Sequence, residues 1–243
     1  MGAAPEIIPL RCGTIVAPAE LFETDGVGES AAPVYAFLIT HPLQAPVLFD
    51  TGLHPDLDGK LYLDRFANTV PAGQDIGSRL EQLDLGAQGL GGVILSHGHY
   101  DHAGGLPLIG DAPVFLHQNE DASGIEAGRD LRRTGDLHDV FGDGSVELFA
   151  TPGHTPGHQS LRVRRFGGGY DVLAGDACYF CRSLDRSDAD QPYAADKALF
   201  IESKRRLARM RDAGDFVIPG HDAAFLERIP AGSSVRVHAA SVS

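Results

Sequence analysis

Three histidines and one aspartate fall within six positions of the stretch Leu95-Ser96-His97-Gly98-His99-Tyr100-Asp101-His102. The apolar run Val93-Ile94-Leu95 that precedes them reads as a buried strand. A strand running straight into a ligand-dense turn presents its last side chains at one edge of a sheet, where α/β proteins tend to bind their ligands. Imidazole and carboxylate together suit zinc or another first-row divalent metal. Four ligands packed this closely cannot all reach one tetrahedral ion while others are still to come. The pattern therefore suggests two ions, His97 and His99 serving one, Asp101 and His102 the other. A polar surface loop that happens to be rich in His is the alternative. Single histidines are expected by chance in a chain with 11 of them, but this cluster is not.

Three further candidate ligands lie downstream, each after an apolar run. His154 stands in Thr151-Pro152-Gly153-His154-Thr155-Pro156-Gly157-His158, Asp176 follows Val172-Leu173-Ala174-Gly175, and His221 follows Val217-Ile218-Pro219-Gly220. H-x-H-x-D-H followed by P-G-H, G-D and P-G-H-D resembles the metallo-β-lactamase superfamily of dinuclear hydrolases. The resemblance runs over most of the chain, from Leu48-Phe49-Asp50-Thr51-Gly52 to His221. It implies an α/β fold, a four-layer αββα sandwich of two mixed β-sheets flanked by helices, as one domain over residues 1–243 with every ligand at one edge. It also implies that His97, His99 and His154 hold one metal, that Asp101, His102 and His221 hold the other, and that Asp176 bridges them. Asp50 then supports a metal-bound histidine by accepting its other N–H. His158 is left out of the ligand set, because the second His of such a repeat packs and hydrogen-bonds nearby.

Composition narrows the partners. A chain of 243 residues with 43% hydrophobic and 22% charged residues can bury a sizeable core as one domain or as two fused halves of one sandwich. The formal charge of −13 argues against nucleic acid, which needs a basic footprint. Three cysteines, Cys12, Cys178 and Cys181, give no disulfide framework and fit a reducing cytosol. No secretory signal and no run of 18 apolar residues is visible, so the expected location is cytoplasmic with no membrane partner. A homodimer is left open.

Along the chain, Ile7-Ile8 and Thr14-Ile15-Val16 read as strand pieces, 24–30 as a loop, and 34–40 and 46–49 as paired strands. Residues 53–73 have no clean period and form either an apolar wall of the substrate pocket or a surface loop packed on the core. Asp75 caps a helix reaching Leu85, with Ile76, Leu80 and Leu83 on one face. A strand over 113–117 and a weak helix over 119–127 come next, with His117 and His138 given no metal role. The segment 129–139 has no clear assignment. A strand over 145–150 delivers His154. A hairpin around Gly167-Gly168-Gly169 delivers Asp176. The longest helix signal covers 194–212, its basic residues Lys204, Arg205, Arg206, Arg209 and Arg211 lying mostly off the apolar stripe of Phe200, Leu207 and Met210. A strand over 215–218 delivers His221, and the tail from Ser233 adds Val235 and Val237 as a last strand.

The chemistry follows from the ligand set. Two divalent ions about 3.5–4 Å apart can share a hydroxide, lower its pKa toward neutrality and polarise the carbonyl under attack. Zinc is the default for N/O ligands, with manganese, cobalt or iron able to fill the same set. Asp176-Ala177-Cys178-Tyr179, taken with Thr155 to Leu161, resembles the N-acyl-homoserine lactonase branch. That resemblance implies a small lactone substrate opened by a metal-bridging hydroxide. It further implies that Tyr179 hydrogen-bonds the substrate carbonyl and that Asp101 gives a proton to the leaving alkoxide. Cys178 and Cys181 form a lone C-x-x-C, expected to pack, with Cys178 turned away from Tyr179. Two other readings share the fold. A glyoxalase II-like thioester hydrolase needs a basic clamp, for which residues 222–243 offer only Arg228 and Arg236. A mononuclear iron protein has no use for Asp101 and His221.

Overall fold

The computed structural model describes residues 4–23, 25–86, 89–125, 128–238 and 242. Two sheets carry the chain. The first begins with β1 (Glu6–Pro18), β2 (Glu29–Thr40) and β3 (Val47–Phe49), which are joined antiparallel. It continues through β4 (Leu61–Tyr62) and β5 (Phe66–Thr69) on one side of β1. On the other side come β6 (Gly92–Ile94), β7 (Val114–His117) and β8 (Leu131–Thr134), all parallel, in the order β4-β5-β1-β2-β3-β6-β7-β8. The second sheet contains β9 (Leu137–Asp139), β10 (Val146–Ala150), β11 (Gln159–Arg164), β12 (Tyr170–Leu173) and β13 (Phe216–Ile218), in the order β13-β12-β11-β10-β9.

The two-residue strand period decides which side chain faces which layer. Tyr35, Phe37 and Ile39 of β2 point at the second sheet and meet Leu148, Leu161, Val163, Leu173 and Ile218. The alternate residues Ala36 and Leu38 point outward and pack under α1 (Ile76–Gln82) through Ile76 and Leu80. On the second sheet, Phe149, Val172 and Val217 turn outward and are covered by Leu207 of α3 (Lys197–Asp212). Helix, sheet, sheet and helix stack in that order, which is the expected αββα sandwich.

Strand direction puts the ligands on one rim. Strands β3 and β6 run parallel. Strands β10 and β12 both run antiparallel to β11 and therefore alike, and β13 is parallel to β12. Asp50, the His97–His102 turn, His154, Asp176 and His221 each follow the C-terminal end of one of these five strands.

Several local expectations are corrected. β1 is one strand with a register shift between Arg11 and Thr14, not two pieces. Residues 53–73 are not structureless, since β4 and β5 form a hairpin that extends the first sheet. Residues 119–125 form turns rather than a helix, and 126–127 lie outside the described residues. The unassigned 129–139 segment supplies β8 to one sheet and β9 to the other. Among the described residues the tail makes a bridge, Ile7 to Val235, in place of a strand. Lys204 does not lie on a solvated face: it is buried, its ammonium over the Phe200 ring and bonded to the Ala189 carbonyl. Among the described residues no helix is long and apolar enough to cross a membrane.

Leu148 is fully buried between the sheets. Leu148→Ala is expected to lower stability by about 2–5 kcal/mol in urea unfolding. A loss under about 1 kcal/mol would mean that the sheets do not pack through this position.

Candidate active site

The backbone after β3 enters the site through Asp50, a non-glycine residue at φ 61°. Aspartate tolerates this left-handed conformation better than most residues. It is used here to turn the carboxylate inward. Asp50 accepts from the Ser96 N–H at 2.7 Å, from the Ser96 hydroxyl at 2.9 Å and from His102 Nδ1 at 2.8 Å. This is the supporting role expected for it. The β6 exit is locked to the second sheet, where the Gln159 side chain donates to the Leu95 carbonyl and its N–H to the Ser96 carbonyl, both at 2.9 Å.

Each of four buried imidazoles is held from outside by one nitrogen. His97 Nδ1 lies 3.0 Å from Ser96 Oγ. His102 Nδ1 donates to Asp50, and His154 Nδ1 to Gln191 Oε1 at 2.7 Å. His221 Nδ1 donates to the Pro33 carbonyl at 3.1 Å. All four rings therefore turn Nε2, with its lone pair, toward a common space. His154 Nε2 is 3.2 Å from His97 Nε2 and 2.9 Å from His99 Nδ1. Asp176 sits in the middle. One of its oxygens is 3.0 Å from His221 Nε2 and 3.1 Å from His102 Nε2, and the other is 3.2 Å from His154 Nε2 and 3.7 Å from His97 Nε2.

Two groups of donors result: His97, His99, His154 and Asp176 in one, Asp101, His102 and His221 in the other. All seven residues expected as ligands come together. His117 and His138 stay outside both groups, as expected. His158 is buried, accepts the Asp176 N–H on Nε2 at 3.0 Å and donates from Nδ1 to Thr151 Oγ1 at 2.8 Å. With both nitrogens spent, it supports the backbone of Asp176.

The fit to metal rests on unspent lone pairs. His102 Nε2 and Asp176 Oδ1 are buried with no hydrogen-bond partner although they lie 3.1 Å apart. Burial holds His97 well below the usual histidine range and lowers His154 to about 4, so both rings stay neutral. Burial also opposes charge on His102 and His221, yet Asp176 with Asp101 outweighs it and raises both. The pocket thus draws positive charge toward Asp176, whose own pKa these histidines hold well below the carboxylate range against burial. Inward imidazole nitrogens and carboxylate oxygens are the donor set that a divalent cation satisfies.

Above the cluster opens a cavity of about 210 Å³. Its base is polar, with Asp101, Asp176 and His221, and its walls are apolar, with Ile15, Phe22 and Phe66. Tyr62 and Leu63, in the segment expected to wall a pocket, also line it. Tyr62 stacks on Tyr100 with ring centroids 3.8 Å apart. Tyr179 borders the same cavity, its ring centroid 5.4 Å from that of His221 and 6.0 Å from that of His154. Cys178 faces the other way, into the cluster beneath α3, and the three cysteines are free.

Two residues that the sequence did not single out complete the site. Glu120 is buried and ties the first ligand turn to the second. The Gly98 N–H donates to one oxygen at 3.0 Å, and the Gly157 N–H and Thr155 hydroxyl donate to the other at 3.0 and 2.7 Å. A Cβ on Gly157 would lie 2.3 Å from the Glu120 nitrogen, so only glycine admits this approach. Gln191 is the partner of His154. Neither stands in a motif, and the sequence carries no signal that would have found them.

The sequence profile of the Metallo-beta-lactamase superfamily matches residues 31–221, and the chain belongs to that superfamily. It is a hydrolase of that class. The metallo-hydrolase mfmC of Annulohypoxylon moriforme is 29% identical over 192 residues, 64% of this chain and 50% of that one, so the chain spans half of that relative's length. The N-acyl homoserine lactonase AiiA of Bacillus thuringiensis subsp. kurstaki is 27% identical over 212 residues, 78% of this chain and 81% of the relative. Among solved structures, an N-acyl homoserine lactone hydrolase with N-hexanoyl-L-homoserine at its catalytic metal centre superposes with a TM-score of 0.80. It is 22% identical and is covered over 95% of this chain and 98% of that one. At that identity the likeness shows the fold.

Glu120→Leu leaves three donors without their acceptor and is expected to cost about 3 kcal/mol or more in urea unfolding. Glu120→Gln keeps one acceptor oxygen and should cost less. An unchanged midpoint for the leucine variant would remove the clamp.

Proposed function

We propose that the chain is a dinuclear-metal lactonase that opens the ring of N-acyl homoserine lactones. The observation that carries this reading is Asp176, whose two oxygens face two separate groups of nitrogen donors beneath an apolar cavity bordered by a tyrosine. On this reading His97, His99 and His154 hold one ion, Asp101, His102 and His221 the other, and Asp176 reaches both. Zinc is the default occupant. When bound, the ions supply Lewis acidity toward the carbonyl and make a nucleophile of water near neutral pH.

The chain's own residues do the rest. The apolar walls take an acyl arm and exclude water, which strengthens every polar contact at the cavity base. The Tyr179 hydroxyl stays protonated, since burial and then Asp176 and Asp101 raise it well above the usual phenol range. It donates a hydrogen bond to the lactone carbonyl and supports charge that develops on that oxygen. Asp101 borders the cavity beside His221, where it would take the proton that the added hydroxyl group loses and pass it to the alkoxide released when the ring C–O bond breaks.

The relatives named as N-acyl homoserine lactonases support this substrate class. A thioester hydrolase is disfavoured by Arg236, which pairs with Glu6 at 3.1 Å and is not a free clamp. A single-ion iron protein is disfavoured by the complete second donor group of Asp101, His102 and His221.

Purified chain is expected to carry close to two metals, to open N-acyl homoserine lactones with proton release, and to lose that activity on chelation. Parallel assays on S-lactoylglutathione should show much weaker turnover. Preference for the thioester, or full activity after complete metal removal, would overturn the reading. Tyr179→Phe should keep the metal content and lower kcat by about 10²-fold. Unchanged kcat would remove the tyrosine from the mechanism.

A further inference from the structure

Gln191 lies in the 187–195 connection, far from any recognisable motif, yet it is 1% exposed and touches His154. The connection is held firmly. The Ala195 and Asp196 N–H groups donate to the His154 and Gly153 carbonyls at 3.1 and 2.9 Å. Lys204 of α3 reaches the Ala189 carbonyl, and Lys197 pairs with Asp190 at 2.7 Å. A Cβ on Gly153 would come within 2.1 Å of the Phe200 nitrogen, so the turn that carries His154 sits directly on α3.

An amide side chain has one acceptor oxygen and two donor hydrogens on nitrogen. For His154 to present Nε2 to the cluster, its Nδ1 must carry the hydrogen, and the Gln191 oxygen must face it. That choice turns the Gln191 nitrogen the other way. There it is buried and meets no hydrogen-bond partner in the described structure. Unpaired buried donors are rare and call for an explanation. Tyr179 lines the same small cleft as Gln191, behind the wall of the main cavity.

We infer that Gln191 is a positioning residue with two separable duties. Its carbonyl oxygen fixes the His154 ring with Nε2 toward the cluster. Its amide nitrogen is the donor the Tyr179 hydroxyl oxygen takes up when the phenolic hydrogen turns to the substrate carbonyl. The inference rests on the lactonase reading above, and it adds a link between one ligand and the substrate-facing phenol.

Two variants separate the duties in the full-length chain. Gln191→Glu keeps an acceptor for His154 Nδ1 and deletes the donor, while Gln191→Leu deletes both. Metal affinity is measured by competition with a chromophoric chelator, with zinc as the probe. Turnover is measured on one N-acyl homoserine lactone, with and without Tyr179→Phe. Gln191→Leu should weaken one of the two zinc ions by about 10- to 100-fold and leave the other unchanged. Gln191→Glu should hold both ions as the parent does, lower kcat with little change in KM, and add nothing further in the Tyr179→Phe background. Parent-like zinc affinity in Gln191→Leu overturns the first duty, and parent-like kcat in Gln191→Glu overturns the second. Equal weakening of both ions, together with a lower melting temperature of the metal-free chain, assigns Gln191 to folding alone and overturns both. A parent chain that binds zinc and opens the lactone keeps the lactonase reading whatever the variants do, whereas one that binds no zinc overturns reading and inference together.

Discussion

Four imidazole lone pairs and both oxygens of one buried carboxylate point into the same few ångströms. Without a cation between them such an arrangement is costly, because an uncompensated buried charge costs about 3–5 kcal/mol when its partner is missing. The surrounding structure makes the arrangement unavoidable. Each ring is fixed by its outer nitrogen to Ser96, Asp50, Gln191 or Pro33. No ring can rotate away without breaking a buried hydrogen bond. Five strand ends, from two sheets packed face to face, then set the spacing between the rings. The sandwich is rigid because its inner side chains interlock, and this rigidity is passed to the donors through turns of only a few residues.

This explains which parts of the molecule were legible before any coordinates. The seven donors could be read because each follows an apolar strand and sits in a dense local pattern. The helix capped by Asp75 and the hairpin at 167–169 were legible for the same reason: local chemistry and local structure agree there. Glu120 and Gln191 were not legible. Each acts across tens of residues on a partner turn, and a single polar residue in an irregular segment has no period to betray it. The β4–β5 hairpin was hidden by its turn, which uses Leu63 and Asp64 at φ 49° and 56° where Asn-Gly would be expected. Strand β8 was hidden because Arg132 and Arg133 are both exposed, so it lacks the alternation that marks a half-buried strand. Lys204 misled because a helical wheel reads its charge and not its surroundings, where the ammonium lies over the Phe200 ring and finds the Ala189 carbonyl.

Among the described residues, two of the three places with non-glycine left-handed backbone border the site, and they are held differently. Asp50 occupies left-handed backbone beneath the donors, where three hydrogen bonds hold it in place. Its strain is repaid by the orientation of His102. Leu63 and Asp64 occupy the same kind of backbone at the cavity mouth. Nothing comparable holds Leu63, which is 61% exposed and still borders the cavity.

The contrast divides the site into a fixed half and an adjustable half. The donors, Asp50 and Glu120 belong to strand ends and buried turns. The walls come from the hairpin, from Phe22 and from Tyr193, which is joined to the hairpin by the Arg65 guanidinium at 3.2 Å. Changes in the wall can reshape the cavity without breaking the hydrogen bonds that hold the four buried rings, since Ser96, Asp50, Gln191 and Pro33 lie outside the hairpin. Changes in Glu120 or Gln191 cannot be so contained, because their partners are the turns and the ring that carry the donors. Tyr179 stands where the two halves meet. Its backbone carbonyl accepts the His221 N–H at 3.0 Å, while its ring borders the cavity. Its position is therefore set by the same rim that sets the ligands, which is what a group acting on the reacting carbonyl requires.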